Sequence, residues 1–141
     1  MRRRERGQGL VEFALTAVLV IALIFGAIEF DRLMLCYTTV ANAARAGSRY
    51  ASVHGSDNPA TVAQIQSVVQ NFLAAAPLKV SAATIDVSYS DPASGPPAGC
   101  SGQPAPGCYV SVNVSYPYDP LTTYFPLSIR LTSASEGVVT F

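Results

Sequence analysis

The chain has 141 residues and a formal net charge of zero, with nine basic and nine acidic side chains. The charge is unevenly distributed, because four arginines precede Gly7, whereas the part from Ser52 onward has two basic and five acidic side chains. A basic tip followed by a mildly acidic remainder argues against nucleic acid as a partner, since neutralising phosphates requires clustered Lys and Arg.

The first element in chain order is an apolar run from Leu10 to Ile28, in which Glu12 is the only ionisable residue. A helix of this length extends about 28 Å, close to the thickness of the hydrocarbon core of a bilayer. The arginines before it predict, by the positive-inside rule, a cytoplasmic N-terminus and a remainder outside the cytoplasm. The sequence therefore predicts one membrane-spanning helix, with the lipid bilayer as its surroundings.

The apolar run does not match an ordinary secretory signal peptide, whose apolar region is shorter and is followed closely by a small-x-small cleavage site. The nearest such site, Ala41 to Ala43, lies about a dozen residues beyond the run, inside what reads as continuing helix. A different cleavage position fits better. Gly7 closes the basic leader, and counting from Gln8 as a new first residue makes Glu12 the fifth.

A short basic leader ending in Gly, followed by a hydrophobic helix with Glu as its fifth residue, resembles the class III signal of type IV pilins and pseudopilins. More closely, the segments RGQGLVEFAL, GAIEFDRL and NAARAGSRYA, in this order, resemble the N-terminal signature of the TadE family of Tad (Flp) pilus pseudopilins. The resemblance covers about residues 6–51. It does not extend to the rest of the chain, which is interpreted from its own residue pattern.

This resemblance implies a bacterial inner-membrane protein that a prepilin peptidase cleaves between Gly7 and Gln8. It implies that Glu12 pairs with the N-terminal amine of a neighbouring subunit. The alternative for Glu12 is that its carboxylate reaches the membrane interface, because it lies only two residues inside Leu10. The implied partners are the peptidase, other pilin or pseudopilin subunits, and the Tad inner-membrane assembly platform.

No proline interrupts the helix before about Val53, and its second half becomes amphipathic. One stripe of this half is predicted to be buried: Leu33, Cys36, Val40, Ala43, Ala44, Gly47 and Ala51. Ala22 and Gly26, four residues apart, predict close packing against another subunit in the membrane. Gly47 and Ala51 are expected to pack against the exported head of the same chain. Glu29 and Arg32 have the spacing of an i,i+3 ion pair.

A second helix is predicted from Pro59 to Ala75, after a stop signal at Ser56 to Pro59 and before Pro77. Three alternating stretches then predict strands, around residues 85–90, 110–116 and 127–132, with a further edge strand at 138–141. The predicted fold class is α+β: a long N-terminal transmembrane helix continuing into a stem, packed with a second helix and a small antiparallel sheet. The predicted parts are a leader at 1–7, the helix and stem at 8–54 and the head at 55–141.

Cys100 and Cys108 flank a Pro/Gly-rich loop in the exported part, and this position predicts a disulfide rather than a zinc site. Cys36 is expected to be a buried apolar side chain. Asp86, Asp91 and Asp119 were weighed as calcium ligands, but their spacing is not that of an EF-hand. His54 is the only histidine, and no nucleophile or phosphate-binding motif is present. We therefore expect a protein that is not an enzyme and needs no cofactor or metal.

The predicted function is that of a structural minor pilin or pseudopilin of a Tad-type pilus or secretion system. Two alternatives remain open at this stage. The chain could be the principal fibre subunit, or it could be an unprocessed single-pass anchor that presents a binding head. The sequence does not distinguish roles in adhesion, DNA uptake or secretion.

Overall fold

A computed structural model of the chain describes residues 3–54, 60–76, 79–92, 99–100, 105–120 and 129–140, with side chains from Gly7 onward. These residues form helix α1 (Arg3–Val53), helix α2 (Val62–Ala74) and a short 3-10 helix (Val80–Ala82). They also form strands β1 (Thr84–Ser90), β2 (Tyr109–Tyr118) and β3 (Ile129–Val138). The predicted α+β fold class, with a long N-terminal helix and an antiparallel sheet, is confirmed.

The chain divides into two compact units, Met1–Met34 and Leu35–Phe141. In the first unit the apolar side chains of α1 are exposed, for example Leu10 at 70% and Phe13 at 74%. The most apolar 18-residue window of this helix has a mean hydropathy of 2.5, and none of it is buried. An apolar helix with a bare surface on all sides suits the interior of a bilayer, where its own backbone hydrogen bonds are satisfied.

Helix α2 begins with a reciprocal pair of hydrogen bonds between its first turn and its N-cap. Thr61 accepts a hydrogen bond from the Gln64 backbone N–H, and the Gln64 side chain accepts one from the Thr61 N–H at 2.9 Å. This capping box satisfies two backbone donors that a helix otherwise leaves free. Helix α2 buries Ile65, Val69 and Leu73 and leaves Val62 and Phe72 about two-fifths exposed. The apolar face of α2 is therefore buried at its centre and exposed to solvent at its edges.

The three strands form one antiparallel sheet in the order β1-β2-β3, with unbroken registers. β2 lies in the centre, and its inward side chains Val110, Val112 and Val114 are fully buried. Side chains on the other face are mostly exposed, as the strict alternation of the sequence predicts. Helix α2 contacts this sheet through Gln66, whose side-chain amide donates to the Ile85 carbonyl at 3.3 Å.

The core forms where the second half of α1, helix α2 and the sheet meet. The predicted stripe on α1 is buried at Cys36, Val40, Ala43, Ala44, Gly47 and Ala51, while Leu33 is partly buried. A Cβ added to Gly47 would lie 2.6 Å from Cγ2 of Val69 and 3.2 Å from Cγ1 of Val112. The glycine therefore marks a close approach of α1 to both α2 and the sheet. Because Ala51 is also fully buried, the predicted packing of the head on Gly47 and Ala51 is confirmed.

Several element boundaries differ from the sequence prediction. Helix α1 begins at Arg3, inside the leader, rather than at Gln8, and α2 begins at Val62 rather than Pro59. The predicted edge strand from Val138 is wrong as a separate element, because β3 continues to Val138 and residues 139–140 follow outside any strand. The predictions on these positions lie outside the described residues: the arginine side chains of the leader, Ser56 to Pro59, Pro77, Leu127 and Phe141.

Candidate processing and assembly site

Gly7 and Gln8 lie within α1, both exposed, four or more residues after its first residue. A Cβ added to Gly7 would meet no heavy atom within 4 Å, and the same is true of Gly9. Each glycine costs a helix about 1 kcal/mol relative to Ala. The two glycines that flank Gln8 therefore weaken the helix locally, which favours access of a protease to the peptide bond.

Glu12 lies one turn beyond this segment, with its side chain exposed. The Thr16 hydroxyl donates to the backbone carbonyl of Glu12 at 2.8 Å, so this contact leaves the carboxylate unoccupied. Among the side chains described from Gly7 onward, the carboxylate of Glu12 takes part in no ion pair. A carboxylate inside an apolar helix is expensive to leave uncompensated. Pairing of Glu12 with a neighbouring subunit remains a prediction, as does its alternative, that the carboxylate reaches the membrane interface.

Ala22 and Gly26 are exposed and share one face of α1, one turn apart. A Cβ added at Gly26 would meet nothing within 4 Å. The small side chains therefore leave a shallow strip on the membrane helix that no described residue of the chain covers. Packing of a second subunit on this strip remains a prediction.

The comparison with known families agrees with this arrangement. Residues 7–49 match the family described as TadE-like protein. No curated protein and no solved structure matches the chain.

The TadE-like segment contains every N-terminal residue discussed above: Gly7, Gln8, Glu12, Ala22 and Gly26. It also contains the first part of the stem, through Gly47 and Arg49. Among the described residues, α1 is the one helix long and apolar enough to span a membrane, and together with the TadE-like match it indicates a membrane-anchored single-pass protein. The match ends at Arg49, so the head is described from its own contacts.

The predicted disulfide between Cys100 and Cys108 is confirmed, and both cysteines are fully buried. A glycine in the left-handed region precedes each of them, Gly99 at φ 96° and Gly107 at φ 91°. Only glycine adopts this conformation without a steric penalty. The Cys100 N–H donates to a carboxylate oxygen of Asp91 at 2.7 Å. Asp91 therefore orders the chain entering the bridge, which is a role that its sequence position does not suggest.

Residues 139–140 form a short clamp between the disulfide and the end of α1. The Val139 N–H donates to the Cys108 carbonyl at 2.9 Å, and the Gly107 N–H donates to the Val139 carbonyl at 2.8 Å. The Thr140 N–H and its hydroxyl both donate to the Ser52 carbonyl at 3.1 Å. The clamp therefore satisfies a carbonyl in the last turn of α1, which a helix end otherwise leaves free.

Tyr89, at the end of β1, packs against the buried cluster of Cys100, Cys108 and Val139. Its hydroxyl is buried and has no hydrogen-bond partner among the described residues. Burial raises the pKa of Tyr89 above its usual value, because the charged phenolate would lose its hydration there. Tyr89 is thus a neutral core residue, not an acid or base for chemistry near pH 7.

Asp91, one of the three candidate calcium ligands, and His54 are both hydrogen-bonded to backbone groups of their own chain. Asp91 binds the Cys100 backbone, and His54 bonds the Tyr50 carbonyl at 2.8 Å while stacking on the Tyr50 ring. Within the described part of the chain no group of three His, Cys, Asp or Glu side chains could hold a metal ion. The predicted Glu29–Arg32 ion pair is present, at 3.7 Å.

Proposed function

We propose that this chain is a structural minor pilin or pseudopilin for assembly of a Tad-type pilus or secretion system. The observation that carries the proposal is the TadE-like match over residues 7–49. That match coincides with an exposed apolar helix that holds one carboxylate, Glu12, near its start. Helix packing, rather than catalysis, is what such a surface does.

The proposal assigns a role to each feature of the N-terminal segment. A prepilin peptidase cuts between Gly7 and Gln8, which removes the arginine-rich leader and creates an amine at Gln8. That amine lies at a depth similar to that of Glu12, so it supplies the cation that the carboxylate of a neighbouring subunit lacks. Ala22 and Gly26 then allow two membrane helices to approach closely.

Charge placement supports an N-terminus in the cytoplasm and a head outside the bacterial inner membrane. Arginines precede the span, and basic residues on the short flank of a membrane helix favour the cytoplasmic side. A buried disulfide in the head is consistent with an oxidising compartment. Other pilin subunits and the Tad assembly platform in the inner membrane are the proposed partners.

We expect Gly7→Leu to abolish removal of the leader. A side chain at this position would have to enter the narrow protease cleft, whereas the fold itself has open space there. The measurement is the intact mass and N-terminal residue of the protein from native membranes and sheared surface fibres. The unmodified chain should begin at Gln8, and Gly7→Leu should begin at Met1.

Gly9→Leu is the matched control, because Gly9 is also exposed with open space around it. This variant should still be processed. An unmodified chain that keeps its leader and stays in the membrane would contradict the proposal. It would favour the unprocessed anchor, a candidate that gains some support from α1 continuing through the cleavage position to Arg3.

Glu12→Gln should leave processing intact but reduce incorporation into fibres by at least about tenfold. Losing one partner of an ion pair in a low-dielectric environment costs about 3–5 kcal/mol, and each 1.4 kcal/mol is a factor of ten. The measurement is the amount of the chain in sheared fibres relative to the membrane fraction.

Glu29→Gln is the comparison for Glu12→Gln, because Glu29 pairs with Arg32 of its own chain. It should change incorporation little. Equal incorporation of Glu12→Gln and the parent chain would refute the assembly role of Glu12. The same fractions report the abundance of the chain in the fibre, which distinguishes a minor subunit from the principal one.

A further inference from the structure

The stem, Leu35–Val53 of α1, has a cationic face that the head does not use. Arg45 and Arg49 lie one turn apart and are exposed, on the side of the helix opposite the buried Gly47 and Ala51. The stem contains no acidic residue. The Arg45 guanidinium donates to the side-chain oxygen of Asn42 at 3.0 Å. Neither arginine forms an ion pair with any residue that the structure describes.

The outer face of the sheet, which points away from the helices, carries the complementary charge. Asp86 on β1 and Glu136 on β3 are exposed there, and neither is in an ion pair among the described residues. Their cross-strand neighbours are small or polar: Ser88, Ser111, Asn113 and Ala134. Nothing bulky in this set hides the two carboxylates. Arg130 shares this face but lies at the other end of β3, beside Pro117.

The contacts between the stem and β3 set the relative heights of these charges. The hydroxyls of Ser48 and Ser135 are 2.8 Å apart, and Gly137 approaches the Ser52 side chain. The stem and β3 therefore run side by side in the same direction. Arg45 lies three residues before Ser48 in the stem, and Arg49 lies one residue after it.

The two carboxylates lie in the same order along the sheet as the two arginines lie along the stem. Glu136 follows Ser135 directly, and the row that contains Asp86 crosses β3 at Ala134, one residue before Ser135. The two rows are about 6.8 Å apart along the strands. Arg45 and Arg49 are about 6 Å apart along the helix. Along the common direction of the stem and β3, the cationic and acidic pairs thus have nearly equal spacing, at nearly the same height.

We propose that copies of this chain pack head to tail, with the cationic stem face of one against the acidic outer sheet face of the next. Arg45 then meets the Asp86 row and Arg49 meets the Glu136 row, without any shift in height between copies. Asp86 and Glu136 are two strands apart, about 10 Å, a separation that two long arginine side chains can span. A symmetric contact of stem against stem would instead place arginines against arginines.

This contact is heterologous, because it joins two different surfaces and leaves one of each kind free at every step. Such contacts repeat from copy to copy, and copies that stay at one height in the membrane form a ring or a row. Exposed ion pairs contribute little individually, so they select the register and the partner, while packing of the two faces provides the rest. The inference rests on the proposed function in one respect, that neighbouring copies have the same orientation in the membrane.

The first test is cysteine cross-linking of the full-length chain in native membranes. Asn42→Cys marks the stem face and Asn113→Cys marks the centre of the outer sheet face. A short bismaleimide should link co-expressed chains that carry one cysteine each, and the unmodified chain gives the background from Cys36. Cross-linking by Asn42→Cys alone would indicate stem-to-stem packing and overturn the proposal, as would the absence of any cross-link between the two marked chains.

The second test reverses the charges in the cross-linking chains. R45E/R49E alone and D86R/E136R alone should each lower the cross-linked fraction about tenfold, because both pairs become repulsive. Mixing the two variants should restore it, since each then faces a complementary neighbour. R130E, on the same sheet face but distant, should change nothing. A cross-linked fraction that stays the same in all of these variants would overturn the charge-paired register.

All these positions are exposed, so the variants should keep the disulfide and the protease resistance of the parent head, and both are measured alongside. The same experiment in the Gly7→Leu chain separates the two proposals. The head-to-tail contact lies within residues 35–141 and does not require the leader to be removed. Cross-linking should therefore persist even if the chain is never processed, whereas mass analysis alone reports on processing.

Discussion

Gly47→Leu should destabilise the head by about 3 kcal/mol and lower its melting temperature by roughly 10 °C or more. Gly47 lies where α1 meets α2 and the sheet. Its missing side chain leaves room for Val69 and Val112, whose nearest atoms would lie 2.6 and 3.2 Å from an added Cβ. Both valines are fully buried and β-branched, so neither can turn aside cheaply. The measurement is thermal unfolding of the head, followed by circular dichroism.

Gly47→Ala isolates the cost of a single methyl group at this junction. A better helix residue gains about 1 kcal/mol, and the clash costs about 1–3 kcal/mol, so the net effect should still be a loss of stability. Adding Val69→Ala removes the nearest atom and should recover part of that loss, which a double-mutant cycle would measure as coupling. Gly26→Leu is the control, because nothing lies within 4 Å of its added Cβ. A Gly47→Ala head more stable than the parent would mean that this close approach does not exist.

Removing the disulfide with Cys100→Ala and Cys108→Ala together should cost the head about 2–3 kcal/mol. The bridge spans a sequence separation of eight residues, and closing a loop of that size restricts the unfolded chain by about this amount in the chain-entropy model. The measurement is thermal unfolding of the parent and the variant, each with and without reductant.

The reductant supplies the internal check on this prediction. It should lower the melting temperature of the parent but not that of the double variant. Cys36→Ala, which removes a buried cysteine outside the bridge, should leave the response to reductant unchanged. Because Cys108 also binds Val139, loss of the bridge should increase amide exchange at Val139 and Thr140. A parent that melts at the same temperature with and without reductant would contradict the prediction.

The sequence determined the features that depend on neighbouring residues. The length and apolarity of residues 10–28 define the membrane helix, and alternation in steps of two defines the strands and their buried face. The stem stripe follows from helical spacing, which places Val40, Ala44, Gly47 and Ala51 on one side. The i,i+3 pair of Glu29 and Arg32 and the short disulfide loop are local for the same reason. Each of these could be predicted because the interacting groups lie within a few residues of one another.

The N-terminal site is also largely a matter of local sequence. The order of leader, Gly7, Gln8 and Glu12 suggested the TadE resemblance, and the family match over residues 7–49 agrees with it. The structure adds that α1 continues through this site and that Glu12 has no ion-pair partner among the described side chains of its own chain. The partner that we propose for Glu12 lies on a neighbouring subunit rather than within its own chain.

Only the tertiary structure decided which distant residues meet. The Val139–Thr140 clamp contacts Cys108 and Ser52. The alternating pattern of a strand does not predict such contacts. The fit of Gly47 against Val69 and Val112 depends on how two helices and a sheet are stacked. The matched heights of Arg45 and Arg49 with Asp86 and Glu136 follow from the Ser48–Ser135 contact, which bridges 87 positions of sequence. Periodicity shows which face of an element is buried, but packing alone determines what that face touches.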